Sequence, residues 1–312
     1  MKHLSHKLFL CSLAISTSSM AYAYGETSDY VYVPVLESGL SWSVGALFLT
    51  PTSDFESYGA IPTDAGYDVL NVSPTYQFGI DASLGYIFDE TANSVDLFFR
   101  NLSTSDDDTT TFDAVNVTGN LGYDLTAFDL MASQYINLGR AMQLRLMAGL
   151  AYVELKQNRN SNAGAQLEEA SLSSQDSKYT GWGPRVGIDS RYEFFGGFGL
   201  VGGGSMAYYL GELTSNTTIL DEPDTTTAND TVDNHGVMNI RANLGLDFVL
   251  ETEDEGESSF WGLELGYLID YYDDGVASTN LLGIESIGTA GEALSTSAVS
   301  FSGPYINLKG VF

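Results

Sequence analysis

The stretch Tyr76-Gln-Phe-Gly-Ile-Asp-Ala-Ser-Leu-Gly-Tyr-Ile-Phe88 decides the fold. Tyr76, Phe78, Ile80, Ala82, Leu84, Tyr86 and Phe88 alternate with Gln77, Gly79, Asp81, Ser83 and Gly85. A period of two is the mark of a strand with one apolar and one polar face. The same alternation returns at Trp182 to Tyr192, where Arg185, Asp189 and Arg191 stand opposite the apolar side. It returns again at Met238 to Leu250 and at Trp261 to Tyr271. Met142 to Tyr152 gives a further apolar face, with Gln143 and Arg145 opposite.

Ten such segments can be drawn, at roughly 41–50, 75–88, 94–103, 119–136, 140–154, 179–193, 197–213, 236–250, 259–272 and 298–312. The fourth changes phase near Ala127, where Leu121, Tyr123 and Leu125 hand over to Phe128, Leu130 and Ala132, so a β-bulge is expected there. Pro184 and Pro304 are expected near the outer ends of their strands, because proline cannot donate to a ladder.

The connections alternate in length. Long ones fall at about 51–74, 104–118, 155–178, 214–235 and 273–297, and short ones at about 89–93, 137–139, 194–196 and 251–258. Outer-membrane barrels have long extracellular loops and short periplasmic turns. Ten strands entered from the periplasm reproduce that order and return the C-terminus to the periplasm. The expectation is an all-β, transmembrane, antiparallel up-and-down barrel of about ten strands (eight to twelve) over residues 41–312.

The first 23 residues read as a secretory signal. Lys2, His3, His6 and Lys7 precede the apolar run Leu8 to Ile15, and Ala21-Tyr22-Ala23 is an A-x-A cleavage site. The apolar run is well short of the roughly 20 residues of a spanning helix. Residues 24–40 would be a periplasmic N-terminal segment. Cys11, the only cysteine, lies within the signal, which removes disulfides and cysteine-based metal or redox sites from the mature chain.

Aromatic spacing agrees with a membrane span. Trp182 and Tyr192, Phe198 and Tyr208, and Trp261 and Tyr271 are each ten residues apart on one strand face. Ten residues at about 3.3 Å, tilted by about 45°, rise roughly 23 Å, close to an apolar band of about 25 Å between aromatic girdles. Phe312 ends the last alternating strand, in the series Ile306, Leu308, and is expected to serve as the signal read by the barrel-assembly machinery.

By parity the charged residues Asp81, Asp96, Arg100, Asp124, Arg145, Arg185, Asp189, Arg191, Arg241, Asp247, Glu264 and Asp270 face the lumen, since charge facing lipid at mid-membrane is costly. They could pair and plug the interior, or line a narrow pore and set its ion preference. Ten strands give a barrel only about 20 Å wide between backbones. A further strand at Tyr30 to Leu36 would widen it.

Little points to chemistry. His235 is the one histidine outside the signal; with Asp233 or Asp230 it could be imagined as an acid–base pair, but a polar loop residue is the plainer reading. Gly202-Gly-Gly204 has no following helix and suits strand bending or close packing rather than phosphate binding. The acidic groups Asp106-Asp-Asp108, Asp221-Glu222 and Glu251 to Glu257 lack EF-hand spacing and suit solvated loops, as do Thr109 to Thr111 and Thr225 to Thr227. A net charge of −29 argues against nucleic-acid binding. No catalytic residue, metal or cofactor is expected. The expected partners are outer-membrane lipid, lipopolysaccharide and the assembly machinery, with surface partners for the acidic loops as a possibility.

The segments Gly181-Trp-Gly-Pro-Arg-Val-Gly-Ile-Asp189, Tyr123-Asp-Leu-Thr-Ala-Phe-Asp-Leu130, Leu144-Arg-Leu-Met-Ala-Gly-Leu-Ala-Tyr152 and Phe301-Ser-Gly-Pro-Tyr-Ile-Asn-Leu308 together resemble the Legionella-type major outer membrane proteins. The resemblance spreads over most of the mature chain. It implies a pore, passing ions or small solutes by diffusion. The alternative is a closed barrel whose loops bind partners or host surfaces.

Overall fold

The computed structural model describes residues 38–63, 66–88, 91–112, 115–163, 172–221, 224–254, 257–280 and 293–312. The signal segment, most of residues 24–40 and the stretch Tyr30 to Leu36 lie outside the described residues. Among the described residues there are twelve strands: β1 (Gly39–Ser53), β2 (Ser57–Thr63), β3 (Gly66–Asn71), β4 (Gln77–Ile87), β5 (Asn93–Phe112), β6 (Val115–Leu138), β7 (Met142–Ala163), β8 (Leu172–Phe195), β9 (Phe198–Asp221), β10 (Asp224–Asp254), β11 (Glu257–Asn280) and β12 (Ala293–Val311). Ten of them close an antiparallel up-and-down barrel in the order β1-β12-β11-β10-β9-β8-β7-β6-β5-β4. β2 and β3 form a separate hairpin within the first long connection.

Closure is made by the ends of the chain. β1 pairs with β12 from Ser41↔Val311 to Ser53↔Val299, and Leu40 and Phe312 exchange both backbone hydrogen bonds, at 2.7 and 3.1 Å. On the outside of this seam Trp42 stacks edge-on against Trp261 with ring centroids 5.5 Å apart, and Phe312 packs on both. Gly310 lies beneath Trp42, 2.7 Å from the indole nitrogen to where a Cβ would stand. Gly310, which interrupts the apolar series of Ile306, Leu308 and Phe312, is thus covered by an aromatic from the neighbouring strand.

The short turn after β8 is tight. β8 and β9 are joined by Gly196-Gly197 alone, with φ of +48° and +88°, as a two-residue hairpin turn with both central residues left-handed requires.

The described parts of four long connections are strand rather than loop. β6 to β11 run for 22 to 31 residues each, whereas about 9–11 suffice to cross a bilayer. The expected loops at 104–118, 155–178, 214–235 and 273–297 are largely continuations of the barrel sheet as extended hairpins. Thr109 pairs across β5–β6 with Thr118, and Thr227 across β9–β10 with Thr218. Accordingly Pro184 and Pro304 lie well inside β8 and β12, not at their ends. Each coincides with a local lapse in one ladder. No pair joins Gly183 or Pro184 to β9, and none joins Gly303 or Pro304 to β1. That is where the missing N–H would be needed.

β6 corrects a second expectation. Its register to β5 and β7 runs unbroken past Ala127, with no bulge. Leu121, Tyr123, Leu125, Ala127, Asp129 and Met131 all face inward and are buried. What changes near Ala127 is the surroundings. Inside the membrane the outside of the barrel is lipid and the interior is polar. Above it the outside is water and the interior is an apolar core. One strand of constant parity therefore swaps the chemistry of its two faces at the outer rim.

Candidate functional site: the lumen and its outer cap

The lipid-facing belt follows the parity expected of it. Trp182, Tyr192, Phe198, Tyr208 and Trp261 point outward and are exposed, and Tyr271 lies on the same outward face of β11.

Inward, the strands bring together Asp81, Asp96, Arg100, Arg145, Arg185, Asp189, Arg191, Arg241, Asp247, Glu264 and Asp270. Asp124 is the exception. It faces outward and is exposed, accepting a 2.6 Å hydrogen bond from Ser103 Oγ on β5. The reason is the missing bulge: with parity continuous through β6, Asp129 takes the inward place instead, and is buried. Glu193 and Lys309 also join the inward set, as do the uncharged Asn243 and Tyr305. Lys309 could have been found from its alternation with Leu308. Asp129 was hidden by the apparent change of phase.

The inward charges stand in tiers. At the periplasmic rim Arg191 binds Asp247 at 2.9 Å and Glu193 at 2.9 Å, while Lys309 reaches Asp247 at 3.0 Å and Glu264 at 2.8 Å. In the middle Arg145 pairs with Asp96, which also accepts from Ser94 and Ser133. The Arg145 guanidinium lies 5.7 Å from the Phe98 ring centre and 5.1 Å from that of Tyr135. Higher up, Arg100 sits between Asp81 and Asp270, and Arg241 reaches Asp81 at 3.1 Å. Arg185 donates to Ser205, Tyr209 and Asn239 and lies 3.4 Å from Asp129. Burial of this kind is tolerable only because nearly every charge is paired and hydrogen-bonded.

β9 makes room for these groups. A Cβ on Gly199 would fall 2.4 Å from Asp247 Oδ1, and one on Gly203 would fall 2.3 Å from Asp189 Oδ1. The bare stretch of β9 is a wall against which β8 and β10 lay their charged side chains.

A cavity of about 380 Å³ runs through these tiers, from Ser41, Lys309 and Val311 at the periplasmic end to Leu47, Asp129, Arg185 and Leu268 near mid-barrel. Beyond them the interior is mostly apolar, with Gln157, Gln175 and Ser177 as hydrogen-bonded polar residues among it. Leu49, Leu102, Leu125, Val153, Leu155, Leu213, Val237, Val299 and Phe301 are fully buried there. Phe301 of β12 meets Tyr123 of β6, four strands away around the ring, with centroids 6.0 Å apart. The first long connection adds Tyr58 and Val72, with Phe55 against them. Tyr58 lies over Gly119, where a Cβ would overlap its ring.

β11 helps to shut the mouth. Its register slips between Tyr272 and Val276. Past the slip, Ala277 accepts from Gln175 at 2.9 Å and donates to Ser177 at 2.8 Å, both on β8, although β9 and β10 separate the two strands in the ring. His235 sits beside this bend, at a matching slip in β10, with Nε2 2.9 Å from the Asp274 carbonyl oxygen. Among the described residues no group of three or more His, Cys, Asp or Glu is arranged to hold a metal ion.

The family described as Legionella pneumophila major outer membrane protein precursor matches residues 32–312, all ten barrel strands included. The chain belongs to that family. It is an outer-membrane β-barrel protein, and its place is the bacterial outer membrane. No curated protein matches it. Among solved structures it is similar to the outer membrane protease OmpT of Escherichia coli, at 13% identity over 89% of this chain and 99% of that one, with a TM-score of 0.43. A major outer membrane protein of Thermus thermophilus is similar at 11% identity, covering 88% and 99%, with a TM-score of 0.37. The toluene transporter TodX of P. putida is similar at 8% identity, covering 88% and 90%, with a TM-score of 0.38.

Proposed function

We propose that this outer-membrane protein is a narrow channel for ions and small solutes, shut in the conformation described by the apolar cap at its outer mouth. The observation that carries this reading is the charged cavity itself. It leads from the periplasmic rim halfway through the barrel, with both signs of charge on its walls and water-sized space between them. A barrel that served only as a support would gain by filling that volume with apolar side chains, since replacing buried ion pairs so is often neutral or stabilising. The cap is the obstacle to passage, and part of it belongs to the connection carrying Phe55, Tyr58 and Val72, which is covalently free to swing away from the wall. Lipid, lipopolysaccharide and, through Phe312, the assembly machinery are the partners proposed with it.

The test is single-channel recording of the mature protein in planar bilayers beside a variant in which residues 54–72 are replaced by a short Gly-Ser link. The expected result is brief, infrequent steps for the native chain and sustained steps for the variant. Two folded but silent barrels would overturn the channel reading. That outcome would favour the second reading, a closed barrel presenting its extended hairpins to partners, which the buried aromatic cap supports.

A further inference from the structure

Below the cap, eight carboxylates and six cations face the lumen among the described residues; the inward Arg159 lies above them in the cap, donating to Ser57 O and to Gln175. All six cations are paired, and so are seven of the carboxylates. Asp189 is the one with no cation within 4 Å, the charges of Arg145 and Lys309 reaching it only from farther off. Arg145 stands directly opposite it on β7, but turns to Asp96 instead. An ionised carboxylate without a partner inside a barrel is costly, so a counter-charge or a proton is required.

The surroundings of Asp189 are arranged for a cation. Tyr305 donates its hydroxyl proton to Glu264 at 2.6 Å, so it can only accept from Asn243, whose Nδ2 lies 3.2 Å away. This fixes the Asn243 amide with its oxygen turned the other way. That oxygen falls 2.7 Å from the place where a Cβ on Gly203 would stand, and Asp189 Oδ1 falls 2.3 Å from the same place. Two acceptor oxygens thus lie against the bare glycine wall, at most 5.0 Å apart. Both residues line the cavity.

We propose that Asp189 and Asn243 form a binding site for a monovalent cation, an alkali-metal ion or a primary ammonium group, over Gly203 in the lumen. One carboxylate and one neutral amide oxygen suit a single positive charge; a divalent ion calls for more anionic ligands. The site deepens the channel reading, since it gives the lumen a stopping place for cations, but its existence does not depend on conduction.

The experiment therefore has two readouts. Crystals of the native barrel soaked in a thallium(I) salt at neutral pH should show an anomalous peak in contact with both oxygens. The peak should vanish in Asp189→Asn and in Gly203→Ala, whose new methyl group would displace both oxygens without changing the charge. In bilayers Asp189→Asn should lower the potassium-over-chloride permeability ratio by roughly fivefold, a small part of the attraction between two unit charges several ångströms apart at an intermediate dielectric. A peak with no current would keep the site and refute the channel. Current whose selectivity is the same in native and Asp189→Asn, or the absence of a peak in the native protein, would overturn the site and mean that Asp189 carries its own proton.

Discussion

Replacing Asp270 by alanine should destabilise the barrel by about 3 kcal/mol. Asp270 is fully buried and accepts from Arg100, from Asn239 Nδ2 at 2.7 Å and from Tyr272 at 3.3 Å. Removing one partner of a buried pair costs about 3–5 kcal/mol, because the other charge is left uncompensated. The low end applies here, since Arg100 keeps Asp81 at 3.3 Å as a second partner. About 3 kcal/mol corresponds to a little over a hundredfold in the folding equilibrium. The assay is urea-induced unfolding in lipid vesicles, followed by tryptophan fluorescence, with Trp42, Trp182 and Trp261 as the reporters. The double variant Arg100→Met with Asp270→Ala removes both charges and should recover most of the loss. A loss below about 1 kcal/mol for Asp270→Ala, the range of an exposed pair, would refute the reasoning. So would a double variant no more stable than the single one.

Two further predictions address the two sides of the outer rim. Val186→Arg places a charge on the lipid-facing belt, four residues below Trp182, and should cost about 2–4 kcal/mol in the same assay, whereas Asp124→Arg on the water-facing surface should shift stability by no more than about 0.5 kcal/mol. Similar losses for the two would show that Asp124 is not on the aqueous outer face. The cap should also respond to pH. Partial burial pushes the Glu56 carboxyl above its ordinary value; the Ser53 amide opposes this, and Asp54 adds to it. A raised carboxyl favours the folded arrangement when protonated, so its contribution is present at low pH and lost as pH rises through the raised value, in a window beginning at about 4.5. Amide exchange at Phe55 and Val72 should slow as pH falls through that window, after correction for the intrinsic rate, and Glu56→Gln should remove the dependence. A native cap whose corrected exchange is independent of pH would refute it.

Alternation in the sequence was sufficient to place ten strands, their order and their lipid-facing belt. Strand parity needs only neighbouring residues, and a membrane leaves few choices for which face meets lipid. That is why Trp182, Trp261 and nearly all the inward charges could be assigned from pattern. Parity alone cannot tell what lies on each side of a strand once it leaves the membrane. At Tyr123-Asp-Leu125 the apolar residues still face inward, but the interior has become a core and the exterior water, so the pattern read as a bulge and Asp124 as a lumen residue. The cap is a matter of tertiary structure for the same reason. Phe301, Tyr123 and Tyr58 come from three separate parts of the chain, and only closure of the ring brings them into one cluster. The pairing of charges is likewise decided across the lumen. Arg100 finds Asp270 on the far side of the ring, while Asp189, with Arg145 directly opposite, has no cation within 4 Å because the Arg145 guanidinium is turned to Asp96. The sequence determined which residues could face inward. The tertiary structure decided which of them meet, because those contacts depend on distances across a barrel that no local pattern encodes.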